Sequence, residues 1–166
     1  MIEMRLAKIV LVGGLALFAL LVCVNNLVDY GSNFAFVRHV LSMDTTFADN
    51  ALRGRAIAEP SLHHVAYGLI ILGEGLTGAL FAAATAMLAR NLRAPAAAFH
   101  RAKRLAVLGA ACGFVVWFVG FMVVGGEWFA MWQSPQWNGQ EAAFRFYVTI
   151  LLVLIFISLR DEELPR

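Results

Sequence analysis

Charge is scarce in this sequence. Asp, Glu, Lys and Arg make up only 14% of 166 residues, against about 25% in an average soluble domain. The 13 Lys and Arg against 11 Asp and Glu leave a formal charge of +2. The basic residues stand at segment ends and form no stripe, which argues against a nucleic-acid partner. Cysteine is nearly absent too: Cys23 and Cys112 lie inside apolar runs. Their expected depths differ by about 10 Å at 1.5 Å per residue, too far for a disulfide, so both read as small buried apolar residues. No nucleophile motif, phosphate loop, dinucleotide glycine pattern or His-Glu-x-x-His occurs. Aligning Arg5-Leu6-Ala7 with Arg104-Leu105-Ala106 yields no internal repeat beyond what glycine- and valine-rich helices share by chance.

Hydrophobic residues are what remain, 61% of the chain, and they are gathered into four long runs. The runs span about 8–28, 62–88, 105–126 and 142–159. Each approaches the roughly 20 residues that cross about 30 Å of hydrocarbon. Backbone groups in lipid must pair within the segment, and no strand-like alternation competes, so the runs predict helices. The expected fold is all-α: one polytopic transmembrane domain over residues 1–166, a four-helix bundle. The first run is longer than the roughly 7–15 residues of a signal peptide's apolar core and no Ala-x-Ala site follows, so it reads as a retained span.

Orientation comes from the cations. Arg5, Lys8, Arg90, Arg93, Arg101, Lys103, Arg104, Arg160 and Arg166 fall on one side; Arg38, Arg53, Arg55 and Arg145 fall on the other. The positive-inside rule places both termini in the cytoplasm. In the outer 29–60 loop, Ser32 or Asn33 is placed to cap a short interfacial helix with Phe34, Val37, Val40 and Leu41 on its apolar face. Asp44 and Asp49 lack calcium-loop spacing and read as solvated acids.

The stretch EWFAMWQSPQWNGQEAAFR, residues 127 to 145, holds three of the four tryptophans. Much of it has a structural explanation. Trp128 and Trp132 suit the headgroup level, Ser134-Pro135 and Asn138-Gly139 mark turns, and Asn138 with Glu141 forms a variant capping box. Glu141 and Arg145 stand one turn apart in the favourable order for an ion pair. A binding site is the competing reading. Asn25 and Asn26 of the first span and His63 and His64 of the second reach the same outer level. They make a cluster available with Glu127, Trp128, Trp132, Trp137, Gln140, Glu141 and Arg145.

The pattern Trp132-x-Ser134-x-x-Trp137-Asn138-x-Gln140, followed by Ala143-Phe144-Arg145 and a last apolar span, resembles a bacterial family of predicted small integral membrane proteins, a domain of unknown function. The resemblance covers nearly the whole chain. It implies the bacterial inner membrane and carries over no catalytic or binding residue.

Glu74 is the sharpest single signal. It lies about 15 Å from His64 and about 21 Å from Leu88 along its helix, near the expected middle of the bilayer. A charged acid there costs roughly 2.5–3.5 kcal/mol on insertion scales, so a neutral carboxyl is expected unless a cation or donor is at hand. It shares a helix face with Tyr67, Ile71, Gly78, Phe81 and Thr85. Gly75 and Gly78, with Gly109 and Gly113 of the third span, predict close packing of the second and third helices. His63 and His64 point about 100° apart along a helix, so they cannot share a haem or metal centre, and three or four converging zinc ligands are not in view. Neither metal nor cofactor is expected.

Three functions fit these residues. The favoured one is a non-enzymatic interaction or accessory subunit docking a partner membrane protein or a second copy of itself. Proton- or ion-coupled transport or ligand binding through Glu74 and the outer cluster is the alternative. A membrane-embedded enzyme using Glu127, Glu141 or His64 is the least favoured.

Overall fold

The structure is a computed structural model describing residues 2–164; Arg166, counted above among the cations, lies outside them. Four helices are long and apolar enough to cross a membrane. In chain order the helices are α1 (Ile2–Val28), α2 (Tyr30–Ser42), α3 (Pro60–Arg90), α4 (Ala96–Ala102), α5 (Arg104–Phe114) and α6 (Gln140–Ser158). Between α5 and the hairpin the third span continues, over Val115–Trp128, as a wide helix with i→i+5 bonding. Among the described residues no strand forms. The protein is an all-α membrane bundle with a short helix in its first long loop.

Local chemistry explains most of the helix ends. Pro60 opens α3, where its missing N–H costs nothing, and the Glu59 carboxylate accepts from the Ser61 N–H at 3.4 Å. Asp29 alone separates α1 from α2, and its N–H still bonds the Asn25 carbonyl at 2.8 Å. The loop helix therefore starts at Tyr30, ahead of the caps expected at Ser32 or Asn33. It ends at Met43, which is left-handed at φ 51° with its N–H on the Val40 carbonyl. Asn138 Oδ1 accepts the Gln140 N–H at 3.0 Å, although Gly139 occupies the N-cap position of α6.

α3 is the central helix, packed most extensively on α1 and next on α5; α6 closes against the third span and α1. The glycines set these distances. A methyl group at Gly78 would come 2.7 Å from Leu20 Cγ, and one at Gly75 would come 3.2 Å from Cys23 Sγ. Both glycines thus admit α1, not the third span as their pattern suggested. Gly109 admits Phe81 of α3, while Gly113 seats Thr77 of α3 and Ile150 of α6. The core beneath includes Val12, Ala19, Phe81, Ala84, Trp117 and Ile150. Outward faces carry Val10, Leu17, Leu72, Leu152 and Ile155, apolar because their solvent is acyl chain.

The cysteines are free, but the depth expected between them is corrected. Cys23 points at the Ile71 carbonyl (3.5 Å) and Cys112 at the Gly73 carbonyl (3.6 Å). These acceptors are two residues, or about 3 Å, apart on α3. The thiols are near one level, and α3 itself keeps them apart.

The bundle end carrying both termini holds a buried charge network. Arg5, Lys8 and Lys103 are each less than 5% exposed. Arg5 donates to the carbonyls of Leu92 (2.9 Å), Ala94 (2.6 Å) and Glu162 (2.9 Å), and its guanidinium lies 4.9 Å from the centre of the Phe99 ring. Lys8 bonds the Leu159 carbonyl and Asp161, both at 2.7 Å. Lys103 donates to the Leu159 carbonyl at 3.0 Å and pairs with the other Asp161 oxygen. The cations sit just past the ends of α3 and α6, on carbonyls of the segments that follow each helix. Burial alone would raise the Asp161 pKa, but the bonds from Lys103 and Lys8 outweigh it and hold the carboxyl below its usual range.

Candidate functional site

A small cavity of about 180 Å³ lies in the loop-side half of the bundle, and Glu74 lines it. Five elements build it. α3 supplies Glu74 and Tyr67; the end of α1 supplies Asn26; α2 covers it with Asn33 and Phe36; and the i→i+5 segment, with the start of α6, supplies Trp117, Phe121 and Phe146. Glu74 is 2% exposed. Its Oε2 accepts from Asn26 Nδ2 at 2.7 Å. The Asn26 carbonyl in turn accepts from the Tyr67 hydroxyl at 3.1 Å. Among the described residues Glu74 Oε1 has no hydrogen-bond partner.

The register of α1 on α3 decides which donor this acid meets. α1 and α3 run antiparallel, with Gly13 against Thr85, Leu20 against Gly78 and Cys23 against Gly75. That register brings Glu74 opposite Asn26, two residues before α1 ends. Val116, at the middle of the third apolar run, lies against Gly73, beside Glu74. The helix-face reading fits, since Tyr67, Ile71, Gly78 and Phe81 are buried with Glu74.

Beside the acid's cavity is a second one, of about 270 Å³, with almost wholly apolar walls. Phe36, Val37, Ile70 and Phe121 line both. The wide helix shapes this chamber. Gly120 and Gly125, one five-residue turn apart, contribute bare backbone to its wall. Such widened turns are rare and recur at functional sites. Nothing in the sequence signalled one beyond the glycines themselves.

Of the outer residues singled out from the sequence, only Asn26 comes to Glu74. Asn25 is exposed on the far side of α1. His63 is buried, with Nε2 2.7 Å from the Ile57 carbonyl. His64 stacks on Phe34, ring centres 4.0 Å apart, and meets the Tyr30 hydroxyl at 2.8 Å. Glu127 is exposed. Trp128 lies under the Arg55 guanidinium at 4.5 Å, Trp132 meets the edge of Phe47, and Trp137 stacks on His39 at 4.6 Å. Gln140 fits over Gly126, where a methyl group would come 2.5 Å from its Nε2. Glu141 and Arg145 form an exposed ion pair at 2.6 Å. The tryptophans therefore fasten the first loop to the hairpin. Thr45 helps them by donating to the buried Ser134 hydroxyl at 2.8 Å, which accepts the Trp137 N–H at 2.9 Å. Sequence reading missed Thr45 and Asn33 as site or clamp residues, because neither carries a local pattern. Among the described residues no three His, Cys, Asp or Glu side chains converge as metal ligands.

Neither curated proteins nor solved structures give a match to this chain. A family model does, over residues 4–160, and its description is that of a small protein embedded in a membrane. The chain belongs to the family "Predicted small integral membrane protein (DUF2165)".

Proposed function

We propose that this membrane protein is a proton-coupled ligand-handling bundle whose working group is Glu74. One observation carries the reading: a buried carboxyl with one oxygen held by Asn26 and the other unpartnered, lining a cavity that adjoins a larger apolar chamber. A purely structural acid in lipid would be expected to satisfy both oxygens. Protonated, Glu74 can donate to a guest; ionised, it accepts from one. The adjoining chamber suits a small, mostly apolar molecule with a single polar end. The Lys and Arg asymmetry, together with the family's character, supports a bacterial inner membrane with both termini in the cytoplasm.

The test is proton flux into dye-loaded liposomes under an imposed pH gradient. Glu74→Gln keeps size and hydrogen-bonding capacity but cannot ionise, so it is expected to abolish the flux while leaving thermal unfolding within a few degrees of wild type. A wild type without flux, or a variant with full flux, ends the proposal.

A second reading, an accessory subunit that docks a partner membrane protein or a second copy, has its own support. Trp128 and Trp132 are each about half exposed at the loop end, and exposed tryptophan is favoured at interfaces. Gly109 and Gly113 lend it nothing, since both are used inside the bundle. A strictly monomeric species in mild detergent, with no co-purifying protein, counts against it.

A further inference from the structure

We infer that the end of the bundle carrying both termini holds a site for the phosphate headgroup of an anionic phospholipid, in the cleft between the start of α5 and the end of α6. The inference stands apart from the Glu74 reading. The cleft measures about 430 Å³ and is lined by His100, Arg101, Lys103, Arg104, Val107 and Ile157, with Ser158 at its edge. It contains no acidic side chain.

The charges around it divide cleanly into used and unused. Lys103 is committed to Asp161 and the Leu159 carbonyl. Glu163, which lines a neighbouring cleft with Asp161, is committed to the Ala96 N–H at 3.0 and 3.1 Å. Asp161 is committed to Lys8 and Lys103. Arg101, Arg104 and Arg160 are exposed, and among the described residues none of them has a hydrogen bond or ion pair. Asp161 and Glu163 are thus occupied, and three guanidinium groups are left without a partner: Arg101 and Arg104 line this cleft, and Arg160 lines the neighbouring one. Guanidinium forks match phosphate oxygens two at a time.

Depth selects a lipid over a soluble phosphate. α5 and α6 are antiparallel, with Gly113 seated on Ile150. Nine residues along each helix from that contact lead to Arg104 and Leu159, so Arg104 and Arg160 stand at one level, where the spans meet the headgroups. One turn deeper, Val107 and Ile157 make the apolar lower wall. Beyond them Leu108 (55% exposed) and Ile155 (64%) face outward, in position to lie along acyl chains. Basic pockets between spans at this level suit anionic headgroups.

The experiment is native mass spectrometry of the whole protein in mild detergent, titrated with phosphatidylglycerol and, separately, phosphatidylcholine of identical chains. Wild type is expected to bind phosphatidylglycerol at least tenfold more tightly. The triple variant Arg101→Gln, Arg104→Gln, Arg160→Gln should fall to the phosphatidylcholine level with its helical circular dichroism unchanged. Arg90→Gln with Arg93→Gln, which removes charge from the same end outside the cleft, should keep at least half the preference. Equal loss in both sets, or no preference in wild type, overturns the site. Displacement of the lipid by millimolar inorganic phosphate would also overturn it, because the ligand would then be a free anion.

Discussion

The two ends of this bundle bury charge in opposite ways. At the end with the termini, Lys8 and Lys103 share one carboxylate, and Arg5 holds three loop carbonyls beyond α3 and α6. At the loop end, a single carboxyl holds one amide and faces empty volume with its second oxygen. The first arrangement answers Lys8 and Lys103 with a counter-charge, while Arg5 Nε is buried without an acceptor. The second, among the described residues, gives its carboxyl no cation, which is how a protein keeps a group available for chemistry. Burial of charge is therefore not one signal but two, told apart by whether a counter-charge is present.

The contrast is sharpest at Asp161. Asp161→Asn removes the only carboxylate shared by Lys8 and Lys103 and is expected to cost about 3 kcal/mol, the scale of breaking a buried pair. Thermal or denaturant unfolding in detergent would read the loss. The same group gives a pH dependence. Its folded pKa lies below the unfolded value near about 3.9, so its contribution is complete above that pH and is lost as pH falls through the depressed folded value. Asp161→Asn should flatten that acid limb; an unchanged limb would show that the network is not closed through this residue.

Asn26→Ala probes the open site and should do less. It deletes the one donor to Glu74 and is expected to cost about 1–2 kcal/mol, the scale for leaving a buried acceptor unpaired. A loss as large as that of Asp161→Asn would erase the distinction between the two ends. Smallest of all, Glu141→Ala removes an ion pair whose side chains are 68% and 84% exposed, and less than about 0.5 kcal/mol should follow.

The bilayer architecture was legible because it depends only on run length and on where charges interrupt the runs. Glu74 was legible for the same reason, as an acid inside an apolar stretch. Its donor was not, because Asn26 is brought to it by the register of α3 on α1, and the register comes from Gly75 and Gly78 meeting Cys23 and Leu20. The sequence pointed those glycines at the wrong neighbour, since small residues announce a close approach without naming what approaches. Arg5, Lys8 and Lys103 read as ordinary flanking cations. Nothing local distinguishes a lysine in headgroups from one folded over a helix end by an aspartate 153 residues away. The widened helix at Val115–Trp128 had no signal beyond its glycines, because i→i+4 and i→i+5 bonding suit the same side chains.

The clasp at the terminal end also has a consequence for biosynthesis. Lys8 belongs to α1, while the aspartate that neutralises it is made 153 residues later. At about 5–20 residues per second, roughly 8 to 30 seconds separate the two. Throughout that interval the first helix carries an unanswered ammonium at its root, held at the membrane surface by water and headgroups. Only once Asp161 has been made can the chain draw that charge inward, so the segment after α6 acts as a latch on α1.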